Sequence, residues 1–155
     1  MTYPLVRGSA AGSMRVMDQC DAPSGELWPV LTVKQPYVSR IMQGDKTVEN
    51  RSWMPHGGYR GRLYIHASMR PERHHGLGLT DRDLEPVRVR GQLESVCRDK
   101  LYGAIVGHVT LTDVITDSDH WSSITGFYHW LLEDPVEFRE AIPTPGRLQL
   151  WRYHG

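Results

Sequence analysis

From Tyr102 to Ile115 the side chains alternate, with Ile105, Val109 and Leu111 on one face and Val106, His108 and Thr110 on the other. A period of two held over this length predicts a β-strand and limits the chain to folds built around a sheet. Leu63, Ile65 and Ala67 alternate with Tyr64, His66 and Ser68 and predict a second, half-buried strand. Leu27 to Val33 reads as a first strand interrupted by Pro29, Phe127 to Leu132 as another closed by Pro135, and Leu148 to Tyr153 as the last. Lys46 to Trp53 reads as extended, and Met54 to Arg60, with Pro55 and Gly57-Gly58, as a turn.

The clearest helix is short. Pro36 stands at its start, Val38, Ile41 and Met42 share a face, and Gly44 supplies a left-handed cap, so the spacing predicts a helix over Pro36 to Gln43. One or two more are expected between Thr80 and Arg98, opened by a Thr80/Asp83 capping pair. Strands come in runs, without strict strand–helix–strand alternation. The expected class is therefore α+β, with a mainly antiparallel, barrel-like sheet.

At 155 residues one core suffices without a disulfide or metal staple. The two cysteines, Cys20 and Cys97, read as reduced thiols of a cytoplasmic protein, and no apolar run approaches a membrane span. His74-His75 and the other histidines lack zinc-ligand spacing, and Gly57-Gly58 and Gly76-Leu77-Gly78 fit no phosphate-loop or dinucleotide fingerprint, so no metal or cofactor is expected. Residues 1–26 read as a flexible leader and 27–155 as a single domain.

Eighteen basic and eighteen acidic residues cancel, which excludes attachment to nucleic acid by net charge alone. The charges are nonetheless segregated. Arg40 to Arg73 carries seven basic and three acidic residues, and Thr112 to Ala141 seven acidic and one basic. A basic, anion-binding cleft on one side is the functional expectation, and two solvated surfaces the plain one. An interaction with a protein partner through the acidic face is a further reading, with no partner class indicated.

Within the basic stretch, Gly44-Asp45-Lys46-Thr47-Val48-Glu49-Asn50-Arg51 contains Gly-x-Lys-x-x-Glu-x-Arg. At average residue usage, chance supplies this in roughly one of 500 chains of this length. Lys46 is a point charge suited to phosphate, and Arg51 makes forked contacts to phosphate or a base edge. Glu49 either pairs with Arg51 two residues along the strand or accepts from an exocyclic amine of a base.

With these residues in order, the sequence resembles the ASCH (activating signal cointegrator homology) domains of the PUA-like superfamily. Leu31-Thr32-Val33-Lys34-Gln35-Pro36-Tyr37 resembles their opening strand and Gln-Pro-aromatic turn, followed by the Gly-Lys-Glu-Arg motif and Ser52-Trp53. Tyr59-Arg60-Gly61-Arg62-Leu63, Tyr102 to Gly107, and Ile142-Pro143 with Gly146, Leu148, Leu150 and Trp151 resemble later strands. The resemblance, from Leu27 to Tyr153, implies a small β-barrel flanked by helices. It also implies a cleft beside the first helix for RNA, DNA or a modified nucleoside.

The ligand-facing candidates are Lys34, Gln35, Tyr37, Lys46, Thr47, Glu49, Arg51, Ser52 and Trp53, joined by Arg60, Arg62, His66 and Trp130. Lys46 is expected to face the ligand. Trp53, Tyr37 and Trp130 could stack a base, while Trp151 beside Leu148 and Leu150 reads as core. The alternative implied by the resemblance is an enzyme on the same scaffold, a ribonuclease or a nucleoside amidohydrolase acting on an acylated cytidine. Lys46, Glu49 and His66 are its catalytic candidates. The amidohydrolase branch uses a threonine three residues after the lysine. Here that position is Glu49, which removes the hydroxyl nucleophile.

Overall fold

The computed structural model describes residues 15–17, 24–70 and 102–155. In chain order the strands are β1 (Arg15–Met17), β2 (Leu27–Val33), β3 (Val48–Arg51), β4 (Gly61–Ala67), β5 (Ala104–Ile115), β6 (Tyr128–Pro143) and β7 (Leu150–His154), with helix α1 (Tyr37–Gln43) between β2 and β3. They form one mixed sheet ordered β1-β6-β5-β4-β2-β7, with β3 also paired to β6. The β1–β6 and β2–β4 pairings are parallel and the other four antiparallel. The α+β class and the antiparallel majority match the expectation.

The barrel is not closed: no ladder among the described residues joins β7 to β1 or β3. The expected helices of Thr80 to Arg98, both cysteines, His74-His75 and Gly76 to Gly78 lie outside the described residues, as does Arg73. Within the stretch expected to be a flexible leader, Arg15–Met17 pairs with Val136 to Phe138 of β6. No described helix is long and apolar enough to cross a membrane.

Apolar side chains line both faces of the central strands. Leu31, Val38, Ile41, Leu63, Ile65, Leu111 and Trp130 belong to one buried cluster. Trp28, Val30, Tyr64, Ile105, Phe138 and Trp151 form the second. Trp28 and Tyr64 stack there at 4.2 Å, 8° from parallel. This corrects the half-buried reading of β4, whose Tyr64 and His66 are as buried as Leu63 and Ile65. It also places Trp151 in a core, as its apolar neighbours implied.

Three local features explain the remaining departures. A register shift between Ile105 and Gly107 sends Ile105 to the second cluster while Val109 and Leu111 stay in the first. A strict period of two does not survive such a bulge. Pro135 does not end β6, because the ladder is shifted between His108/Val136 and Thr110/Glu133 and Asp134 takes φ 49°. A bulge is where a strand tolerates the missing N–H. Pro29 likewise precedes the first β4 partner of β2, Val30.

Helix α1 forms as its punctuation requires. Its Val38, Ile41 and Met42 are buried, and Gly44, at φ 81°, returns its N–H to the Ile41 carbonyl at 3.0 Å. The Gln35–Pro36 peptide before it is cis. Burial of one face, rather than intrinsic propensity, sustains so short a helix.

Candidate nucleic-acid interface

The parallel pair β2 and β4 ends at one pole of the sheet, where β5 begins, β6 ends and β7 begins. An open cavity of about 400 Å³ lies there, and the paired end of β3 and start of β6 reach the same cavity. Its wall takes Thr32 and Lys34 from the end of β2, Tyr37 from α1, Glu49 to Trp53 from β3 and beyond, and Ser68 from the end of β4. Phe127, before β6, and Arg147 to Gln149, before β7, complete the rim.

Beneath the wall lies a buried ionic chain. Lys46 Nζ meets Glu49 Oε2 at 2.7 Å and also donates to the Val48 carbonyl. Arg51 meets the other carboxylate oxygen, Oε1, at 3.1 Å and donates to the Thr32 carbonyl at 2.8 Å. Burial pushes the Glu49 carboxyl up, but the charges and hydrogen bonds of Lys46 and Arg51 outweigh it and hold the group below its ordinary value. The motif strand thus carries an ionised Glu49 whose two oxygens are matched to two cations.

That arrangement corrects the reading of Lys46. It is 3% exposed and does not line the cavity. With Thr47 it borders a separate hollow that includes Glu133 and Asp134, a poor setting for a phosphate. The reason is local: three residues along from Lys46, Glu49 offers a partner inside the fold, and the short span lets the ammonium reach it. Arg51 is the motif cation left at the cavity wall, with 22% of its side chain exposed.

Other candidates divide in the same way. Lys34, Tyr37, Ser52 and Trp53 line the cavity with Glu49 and Arg51. Trp130 does not. It is fully buried behind Trp53, edge to face at 4.9 Å, and gives its indole N–H to the Trp53 carbonyl. Gln35 is 6% exposed and turns its amide oxygen to the N–H and hydroxyl of Ser39, bracing the first turn of α1.

His66 is also withdrawn. It is wholly buried, its Nε2–H donates to the Thr144 carbonyl at 2.7 Å, and its ring meets Trp151 edge-on. Burial lowers its pKa, partly offset by that carbonyl. His66 is a post under the loop that carries the rim. Gly146 of that loop sits so close that a β-carbon would come within 2.8 Å of the His66 ring and 3.0 Å of the Thr32 hydroxyl.

Arg60 and Arg62 lie far from the cavity. Six residues of extended chain, about 20 Å, separate Arg62 from Ser68. Arg60 pairs with Asp113 at 3.2 Å. The expected basic cleft is accordingly much reduced. Arg40 is bound to Asp45, Lys46 and Arg51 share Glu49, and Arg60 is met by a carboxylate from the acidic stretch.

The cavity holds residues that the pattern of the sequence did not mark. Arg147 and Gln149 are exposed there, and Leu148 is 92% exposed beside them, not packed in the last strand. Gln149 takes φ 58°, which delays β7 and leaves Leu148 outside the sheet. The proline- and glycine-rich approach, Pro143 to Gly146, was the available sign of a loop. Phe127 is positioned by the preceding loop, which Asn50 clamps through its amide to the Ser122 carbonyl at 2.7 Å and the Ile124 N–H at 2.9 Å. Among the described residues no group of three metal-ligating side chains occurs.

The ASCH domain family profile matches residues 31–142, a span that contains the helix, the motif and the central strands. The chain is also 29% identical, over 161 aligned positions and 97% of its length, to human Activating signal cointegrator 1, of which it spans 26%. With the profile covering well over half of its residues, the chain belongs to the ASCH domain family.

Proposed function

We propose that residues 27–155 form one nucleic-acid-binding domain whose open cavity receives a nucleotide of single-stranded RNA or DNA, or a modified nucleoside. The observation that carries this reading is the convergence of Trp53 and Phe127 with the Arg51 and Arg147 side chains and the Glu49 carboxylate around one open cavity. Its volume, about 400 Å³, falls in the range of small-ligand sites. Aromatic rings offer a base a stacking surface, and guanidinium groups offer phosphate or a base edge forked hydrogen bonds. The ionised Glu49 accepts but does not donate, which favours a base edge bearing an amine.

The same geometry favours binding over the catalytic alternative. Of the three catalytic candidates, Glu49 alone lines the cavity. Lys46 is neutralised below it and His66 is sealed behind the rim. Glu49, held ionised by two cations, is a weak base.

Fluorescence anisotropy with labelled single-stranded RNA and DNA tests the proposal. Trp53→Ala should lose about 1–3 kcal/mol, the worth of one stacked base. Arg147→Ala should weaken all sequences alike and reduce the salt slope by about one. An unmodified chain that holds neither oligonucleotides nor nucleosides would overturn the reading, as would variants that bind like the parent.

A further inference from the structure

A second hollow, of about 660 Å³, lies at the opposite pole of the sheet, where β2 and β4 begin and β7 ends. Arg62, Arg152 and Tyr59 border it with Trp28 and Leu27. The Tyr59 hydroxyl donates to the Arg62 carbonyl at 2.5 Å, and the Arg152 guanidinium stands 5.8 Å from the centre of the Tyr59 ring. Both arginines are exposed, and neither has a carboxylate partner among the described residues. Glu26 is the one carboxylate on the border and forms no ion pair with them.

Elsewhere in the basic stretch Arg40, Lys46, Arg51 and Arg60 are each met by Asp or Glu. Two uncompensated guanidinium groups beside an aromatic ring raise the local potential and suit an anionic guest with a flat or apolar part. The hollow and the cavity are joined along the chain by β7. Arg152 follows Gln149 of the cavity rim by three residues along β7, about 10 Å of extended chain. β7 lies at the end of the strand order, ladder-bonded to β2 alone among the described residues.

We infer that Arg62, Tyr59 and Arg152 form a second contact for a nucleic-acid strand, gripping its phosphodiester backbone one strand-length away from the nucleotide held in the cavity. The inference rests on the nucleotide reading of that cavity and adds a direction to it: the strand follows β7 from the Arg147 rim toward Arg152. The grip is indifferent to base identity, because guanidinium-to-phosphate contacts position a chain without reading it.

The test uses the full chain with a nucleoside monophosphate and with a single-stranded oligonucleotide of about eight nucleotides, within the usual site sizes of such proteins. Arg62→Ala combined with Arg152→Ala should weaken the oligonucleotide about tenfold or more at low salt and reduce its salt slope by about two, leaving the monophosphate unchanged. Arg15→Ala with Arg70→Ala removes equal charge elsewhere and should do little. Equal losses in both pairs would reduce the effect to bulk charge and overturn the inference. An oligonucleotide that binds the parent and the Arg62/Arg152 variant alike would overturn it while sparing the cavity. Failure of the unmodified chain to bind either probe would remove both.

Discussion

Lys46 and Glu49 meet at 2.7 Å with 2% and 10% of their side chains exposed. Removing one partner from so enclosed a pair leaves a charge with less compensation than its burial demands. Lys46→Ala is expected to cost about 3–5 kcal/mol in denaturant unfolding. A loss below about 1 kcal/mol would show that the pair is not structural.

The pH dependence of stability should have two limbs. Burial, together with the Arg62 charge, lowers His108 from 6.5 to about 4. The unfolded chain therefore binds more protons across that window, and stability falls as the pH drops through it, by up to about 3 kcal/mol. His66 is lowered too and acts with the same sign. Below about 4.5 Glu49 continues the trend, since its carboxyl is protonated more readily in the unfolded chain. His108→Gln should flatten the limb between pH 6.5 and 4 without abolishing it. Urea midpoints across that range would read this directly, and an unchanged slope would show that His108 is not held neutral.

Gly146 predicts a separation of binding from folding. A methyl group there meets the His66 ring at 2.8 Å, and the loop, being exposed, is the part free to move. Gly146→Ala should displace Arg147 and Leu148 and weaken nucleotide binding several-fold, with a stability loss of about 1 kcal/mol. Parallel melting and binding curves check it, and unaltered affinity would mean that the rim is not gripping the ligand.

Asn50→Ala removes two hydrogen bonds that hold the loop before β6. The expected cost is about 1–3 kcal/mol, from backbone groups left unpaired. Faster hydrogen exchange at the Ile124 amide is the specific readout, and protection like the parent's would contradict the clamp.

The secondary structure was largely legible because its signals are local. Pro36 and Gly44 bracket α1, and alternation located β4 and β5. The site was less legible because pairing is not local in kind. The same spacing that suggests a ligand-facing Lys46 also puts it within reach of Glu49, and only packing decides between them. Trp130 illustrates the limit: an aromatic residue beside a binding surface and one directly behind it have the same sequence, and here Trp53 occupies the front place. Arg147 to Gln149 were invisible for the opposite reason, since Gln149 at φ 58° breaks a strand pattern that the side chains alone would continue.

Of the four motif positions Glu49 and Arg51 reach the cavity wall and Gly44 and Lys46 do not, while much of the rim comes from two loops, one carrying Phe127 and the other Arg147 to Gln149. Wall and rim thus come from separate stretches of the chain. On the proposed reading the motif supplies a chassis, and the choice of cargo would be set largely by stretches that the motif does not include.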